Sequence, residues 1–389
     1  MTHSPLWKRL RVSVAAVAAA SALGGCTFGL PLYRNPVTSD GAGPPYQTFT
    51  VDWWQPLVDP TLLEYGPRET ATPAVDSGTG RVITGTRDGY LRSLAPGGQI
   101  EWEFKTGTRF IAGALVQEGV VYAPGGDGTL YALDARNGAL KWKYEAGEVL
   151  GTTPVLAGGR VLVVSESDTI FAVESASGAW AWQYRRDPPS GFTVRGVSSP
   201  VVRDGSVYLG FSDGFVVALA QDDGSVTWER ELSSAGSEFL DVDTTPALDD
   251  AGHLFVASYK DGLYALEAAS GDVLWNTRTD GITGLISRGE LLFATGDDRV
   301  SAYHTETGRH LWTTALGGHA AQTPAFARGM LIVPVRESLL FLDPSNGRKH
   351  LRWNPGKGVT ATPQVMDSHL YVLSNLGYIY SLSLHGGPG

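Results

Sequence analysis

A chain of 389 residues with 42% apolar side chains has ample material for a large core, and 49 glycines point to many tight turns. The formal charge of −10 comes with no evident basic stripe, which argues against a nucleic-acid partner and against electrostatic docking on anionic lipid. A single cysteine, Cys26, excludes an internal disulfide and a cysteine metal cluster.

Residues 1–25 read as a secretory signal. Lys8, Arg9 and Arg11 supply the positive start, and Val12 to Leu23 is apolar but too short to span a bilayer. Without those three cations the chain has 40 acids against 27 bases, a charge of −13. The segment ends Leu23-Gly24-Gly25-Cys26, which resembles the bacterial lipoprotein signal, whose cysteine receives the lipid. The bland alternative is a plain signal peptide with an accidental cysteine. Thr27, rather than Asp, favours the outer membrane in lipoproteins of this kind. Residues 26–46 then form a lipidated cysteine and a flexible tether, with Pro31, Pro36, Pro44 and Pro45 among Gly and polar residues.

From residue 47 the pattern is β. A glycine followed four residues later by tryptophan recurs at Gly98/Trp102, Gly138/Trp142, Gly178/Trp182, Gly224/Trp228, Gly271/Trp275 and Gly308/Trp312, with a stretched copy at Gly347/Trp353. Eight segments open with a small residue pair: Thr72-Pro73, Ala112-Gly113, Thr153-Pro154, Ser199-Pro200, Thr245-Pro246, Thr283-Gly284, Thr323-Pro324 and Thr362-Pro363. Their steps of 40, 41, 46, 46, 38, 40 and 39 residues predict an all-β, eight-bladed β-propeller of four-stranded blades over 47–389. Each pair should precede an innermost strand, where proline's missing N–H costs little. The last repeat lacks its fourth strand. Thr48 to Trp54 alternates and holds tryptophans, so it should pair into the last blade and close the ring, leaving no open edge.

The repeat accounts for several residues that would otherwise suggest chemistry. Asp88-Gly89, Asp127-Gly128, Asp213-Gly214 and Asp261-Gly262 stand in register, and read as two-residue hairpin turns rather than metal ligands. The tryptophans, at one fixed offset, should pack between neighbouring blades with each indole N–H on a backbone carbonyl. The eight histidines show no metal-ligand spacing. No Gly-x-Ser-x-Gly, His-Glu-x-x-His or phosphate loop is present, so no enzymatic activity, cofactor or metal is expected.

Two consecutive connections run about six residues longer than the others: Arg185 to Gly196, and Glu231 to Asp243. Both join an outermost strand to the next innermost strand, so they emerge as neighbours on one face. Departures from a repeat are where a repeat protein usually carries function. Phe192 and Val194 alternate beside Arg195, and Asp241 and Asp243 alternate around Val242. Arg195 suits bidentate pairing with a carboxylate. The two loops could pair with each other, or together form a partner site with apolar anchors and a charged rim.

On these features the chain resembles the BamB-type lipoproteins of the outer-membrane β-barrel assembly machinery. The signal, tether, eight quinoprotein-type repeats and total length match over residues 1–389. Phe192-Thr193-Val194-Arg195-Gly196 corresponds to the family's apolar-x-apolar-Arg-Gly stretch, and Asp241 to Pro246 to its Asp-Val-Asp-Thr-Thr-Pro. Phe and Val stand where the family favours Leu. The resemblance implies a non-enzymatic scaffold, outer-membrane-anchored through Cys26, with the propeller in the periplasm. It implies docking onto BamA through Phe192, Val194, Arg195, Asp241 and Asp243. Contact with unfolded outer-membrane proteins is a further open expectation. Two alternatives remain at this stage. One is another envelope propeller lipoprotein binding a different protein or a glycan. The other is a pyrroloquinoline-quinone dehydrogenase, which resembles the chain in its repeats but uses adjacent cysteines and cofactor-covering insertions that are missing here.

Overall fold

The computed structural model describes residues 48–59, 66–187, 197–232, 241–318 and 320–386. The leader, the tether and Cys26 therefore lie outside the described residues. Within them the chain forms eight antiparallel four-stranded sheets, seven built from strands consecutive in sequence. The second blade is typical, with strands Leu115–Gln117, Val120–Pro124, Thr129–Asp134 and Leu140–Glu145 running from the ring axis outward. The innermost strands begin a residue or two after the predicted small-residue pairs, at Ala74, Leu115, Val155, Val201, Ala247, Ala325 and Gln364. Blade six differs. Its innermost strand, Ile282–Arg288, contains Thr283-Gly284 and carries a bulge there.

The middle strands of each blade are buried on both faces, and so read as continuous apolar runs rather than alternations. In Val161, Leu162, Val163 and Val164, odd residues pack toward blade two and even ones toward blade four. Eight apolar clusters result, one at each junction between neighbouring blades. The tryptophans fasten these junctions. Trp102, Trp142, Trp182, Trp228, Trp275 and Trp312 donate their indole N–H to Ala135, Ser175, Gln221, Ala268, Thr305 and Pro344 of the following blade, at 2.7–3.1 Å. Each ring also lies over the turn glycine of that blade. A Cβ built on Gly224 would sit 2.4 Å from the Trp182 ring, and its φ of +71° strains an L side chain further. Glycine and tryptophan four residues apart thus serve opposite junctions of one blade.

Closure follows the sequence expectation. Phe49–Pro56 pairs antiparallel with Tyr378–Leu384 as the outermost strand of blade eight. Trp53 supplies that blade's indole N–H, to Pro96 of blade one at 2.6 Å, over Gly98. Phe49 is 5% exposed and packs on Phe341 and Trp353 of blade seven, with ring centroids 5.5 and 5.1 Å away. Leu384 faces Phe49 and Tyr378 faces Pro56. The N-terminal segment therefore enters at the face opposite the turns that join the second and third strands of each blade.

The Asp-Gly turns differ from the two-residue form expected. Only the glycine takes a positive φ, +82° at Gly89, +81° at Gly128 and +90° at Gly214. The preceding aspartate instead accepts the N–H two residues on, as Asp127 does from Thr129 at 3.0 Å. The two-residue turns with two positive φ values join first and second strands, at Glu118-Gly119, Asp204-Gly205 and Arg328-Gly329.

Candidate docking site

In every blade the turn between second and third strands shares a face with the connection leaving the fourth strand. The described ends of the two long connections, residues 186–187 with 197–200 and residue 232 with 241–246, lie on this face around blades three, four and five. Phe192, Val194 and Arg195 fall outside the described residues. Asp241 and Asp243 fall within them.

Residues 241–243 are laid over blade four. The Val242 N–H donates to the Phe211 carbonyl at 3.1 Å, and the Asp241 carbonyl accepts the Tyr259 N–H of blade five at 3.0 Å. Val242 is fully buried with Leu232, Tyr208 and Val256. Gly210 makes the close approach possible, because a Cβ there would meet the Val242 carbonyl. The expected alternation is corrected on one point: Asp241 is 0% exposed, as buried as Val242, and only Asp243 retains access to solvent. The segment is wedged between two blades, so both sides of it are covered. Asp243 lines a 420 Å³ cavity on the ring axis, together with Thr72, Thr153, Ser199, Thr245 and Thr323 from the segments entering the innermost strands. Burial raises its pKa to about 6, and the charges of Asp241 and Asp168 push the same way.

Asp168 was missed in the sequence. It stands in blade three where the other Asp-Gly turns have glycine, and it holds a φ of +57°. That conformation is unfavourable for an L residue by about 1 kcal/mol. Its carboxylate accepts the Ser212 hydroxyl and, at 3.4 Å, the Ser212 N–H of the blade-four turn. Burial raises its pKa, and Asp213 and Asp241 add to that, against the hydrogen bonds from Ser212. The signal was legible as Ser167-Asp168 in a position where the repeat calls for glycine.

Arg186, at the root of the first long connection, is the fixed cation of this sector. It donates to Asp213 and, at 2.9 Å, to Glu229, both of blade four, and its guanidinium lies 4.1 Å from the Phe215 ring centroid. Its N–H also donates to the Asp168 carbonyl at 3.2 Å. Arg186 thereby ties the connection to both blades and neutralises Asp213. The Asp241 charge adds to the raised proton affinity of both Asp168 and Asp243, so the three carboxylates lie close together.

The family model described as "Outer membrane protein assembly factor BamB" matches residues 87–298 and 278–387. The chain belongs to the BamB family. Among curated relatives, BamB of Legionella pneumophila (strain Paris) is 29% identical over 195 residues, covering 48% of this chain and 50% of that one. The chain spans about half the length of the curated relatives it matches. Among solved structures, BamB from Moraxella catarrhalis superposes with a TM-score of 0.76 at 24% identity, over 86% of this chain and 100% of that one. The quinohemoprotein alcohol dehydrogenase from Comamonas testosteroni shares the fold with a TM-score of 0.68, at 13% identity over 92% of this chain and 79% of that one. The eight-bladed architecture is thus common to BamB proteins and to quinoprotein enzymes. The departures from the repeat, rather than the repeat, distinguish this chain.

Proposed function

We propose that this BamB-family protein is a non-enzymatic scaffold of the outer-membrane β-barrel assembly machinery, and that it docks onto BamA through the blade three-to-five sector. The observation that carries the reading is that the described ends of the two long connections share one face, where Asp168, Asp241 and Asp243 lie close together and Arg186 ties the first connection to blade four. Wedging between blades holds the Asp241–Asp243 backbone rigid, so little ordering entropy opposes binding. The solvent-accessible Asp243 suits a basic group on the partner's rim, with Phe192 and Val194 as apolar anchors and Arg195 reaching a partner carboxylate. Lipidation at Cys26 holds the propeller to the periplasmic side of the outer membrane. The tether of residues 26–46 reaches roughly 70 Å when extended. Because it joins the face opposite the docking sector, that sector is free to turn away from the membrane.

Copurification from detergent-solubilised outer membranes tests this. Wild-type protein is expected to bring down BamA, and Asp243→Arg to lose most of it, with a melting scan checking that the variant remains folded. Recovery of a different envelope protein or a glycan in place of BamA would count for the other propeller-lipoprotein reading.

A further inference from the structure

A third connection is also long. Residues 57–73 join blade eight to blade one, and this junction lies four blades, half a turn of the ring, from the Asp241–Asp243 wedge. The face here has the opposite charge. Two adjoining cavities of about 530 and 520 Å³ share Gly66, Pro67 and Arg68 as a common wall. Arg109 lines the first, and Arg336 and Lys357 line the second. These four cations come from four separate loops, the blade-seven turn and the connections into blades eight, one and two. All four are exposed, and none has a carboxylate partner among the described residues.

The neighbouring charges are already committed. Arg87 is held by the buried Glu69, whose N–H donates to the Asn375 side chain at 3.2 Å across the ring closure. Glu337 lies 3.8 Å from Arg352. Glu166 is the remaining carboxylate lining the first cavity. In a chain of net charge −10, four uncommitted cations along one trough are not explained by composition.

We propose that this trough binds an acidic, extended peptide segment of a partner protein, at a second site distinct from the blade three-to-five sector. The cations are distributed along two joined cavities rather than converging on one point, which fits several carboxylates on a chain better than a single phosphate. In the first cavity the half-buried Ile111, alongside the buried Pro67 and Phe110, supplies apolar surface for an intervening side chain. The trough opens on the face away from the N-terminal attachment, which disfavours the headgroups of the anchoring membrane.

Fluorescence anisotropy of the full chain with a labelled peptide of alternating Glu and Ser, about twelve residues long, tests the site. The expected result is saturable binding that weakens with salt and is absent for the matching Lys peptide. Arg68→Ala with Arg336→Ala should weaken it at least about tenfold, and Arg68→Lys with Arg336→Lys should restore it to within about threefold. Asp243→Arg should leave it unchanged, which separates this site from BamA docking. Equal binding by the double-alanine variant, no preference for Glu over Lys peptide, or displacement by inorganic phosphate or anionic-lipid vesicles at lower concentration than by peptide would overturn the proposal.

Discussion

Replacing Phe49 by alanine removes the main apolar anchor of the strand that closes the ring. The side chain is 5% exposed, stacks on Phe341 at 5.5 Å with an interplanar angle of 30°, and meets Trp353 at 5.1 Å. Truncating a core phenylalanine costs about 3–5 kcal/mol, from lost transfer energy and the cavity left behind. The two aromatic contacts place this site toward the upper end of that range. The loss is large against a typical total stability of about 5–15 kcal/mol. Urea unfolding followed by tryptophan fluorescence provides the assay. At a slope near 3 kcal/mol/M, the midpoint should fall by about 1 M or more. Thr50→Ala, on the exposed side of the same strand, should leave it within about 0.2 M. If Phe49→Ala shifts the midpoint no more than Thr50→Ala does, the closing strand is not what holds blades seven and eight together.

Gly224→Ala places a methyl against the Trp182 ring at a backbone φ of +71°, and should cost about 2 kcal/mol or more in the same assay. Gly159→Ala shares the positive φ but meets nothing within 4 Å, so it should cost less. The Asp243 carboxyl is raised from 3.8 to about 6 in the folded protein, chiefly by burial. Its contribution to stability is therefore fully present below about pH 4 and lost as pH rises through about 6, by up to about 3 kcal/mol. Asp243→Asn should flatten that part of the pH–stability curve; an unchanged slope between pH 4 and 7 would contradict the burial described. A cationic partner prefers the ionised carboxylate, so docking should weaken as pH falls below about 6.

The repeat made most of the fold legible. Trp102 through Trp312, each four residues after a glycine, marked the fourth strands, and Trp53 marked the strand displaced to the N-terminus. The turn type is not legible in sequence, because Asp-Gly is compatible with two hairpin geometries, and only the backbone distinguishes an aspartate that accepts an N–H from one that takes a positive φ. Asp241 and Asp243 stand out in the sequence as a departure from the repeat, but alternation could not reveal that both sides of the segment are covered by neighbouring blades. Asp168 could have been found as a carboxylate occupying a glycine position. The cationic trough could not, because Arg68, Arg109, Arg336 and Lys357 are scattered through the sequence and are brought together only by ring closure. The length of 57–73 likewise becomes apparent only once Phe49–Pro56 is placed as the last blade's outer strand.

We propose that one sector of one face docks BamA. The most direct test is a titration of purified propeller against the purified periplasmic part of BamA, comparing wild type with Asp243→Arg and Arg68→Ala. Docking through the blade three-to-five sector predicts at least about a tenfold loss of affinity for Asp243→Arg and none for Arg68→Ala. Equal affinity for wild type and Asp243→Arg would contradict it.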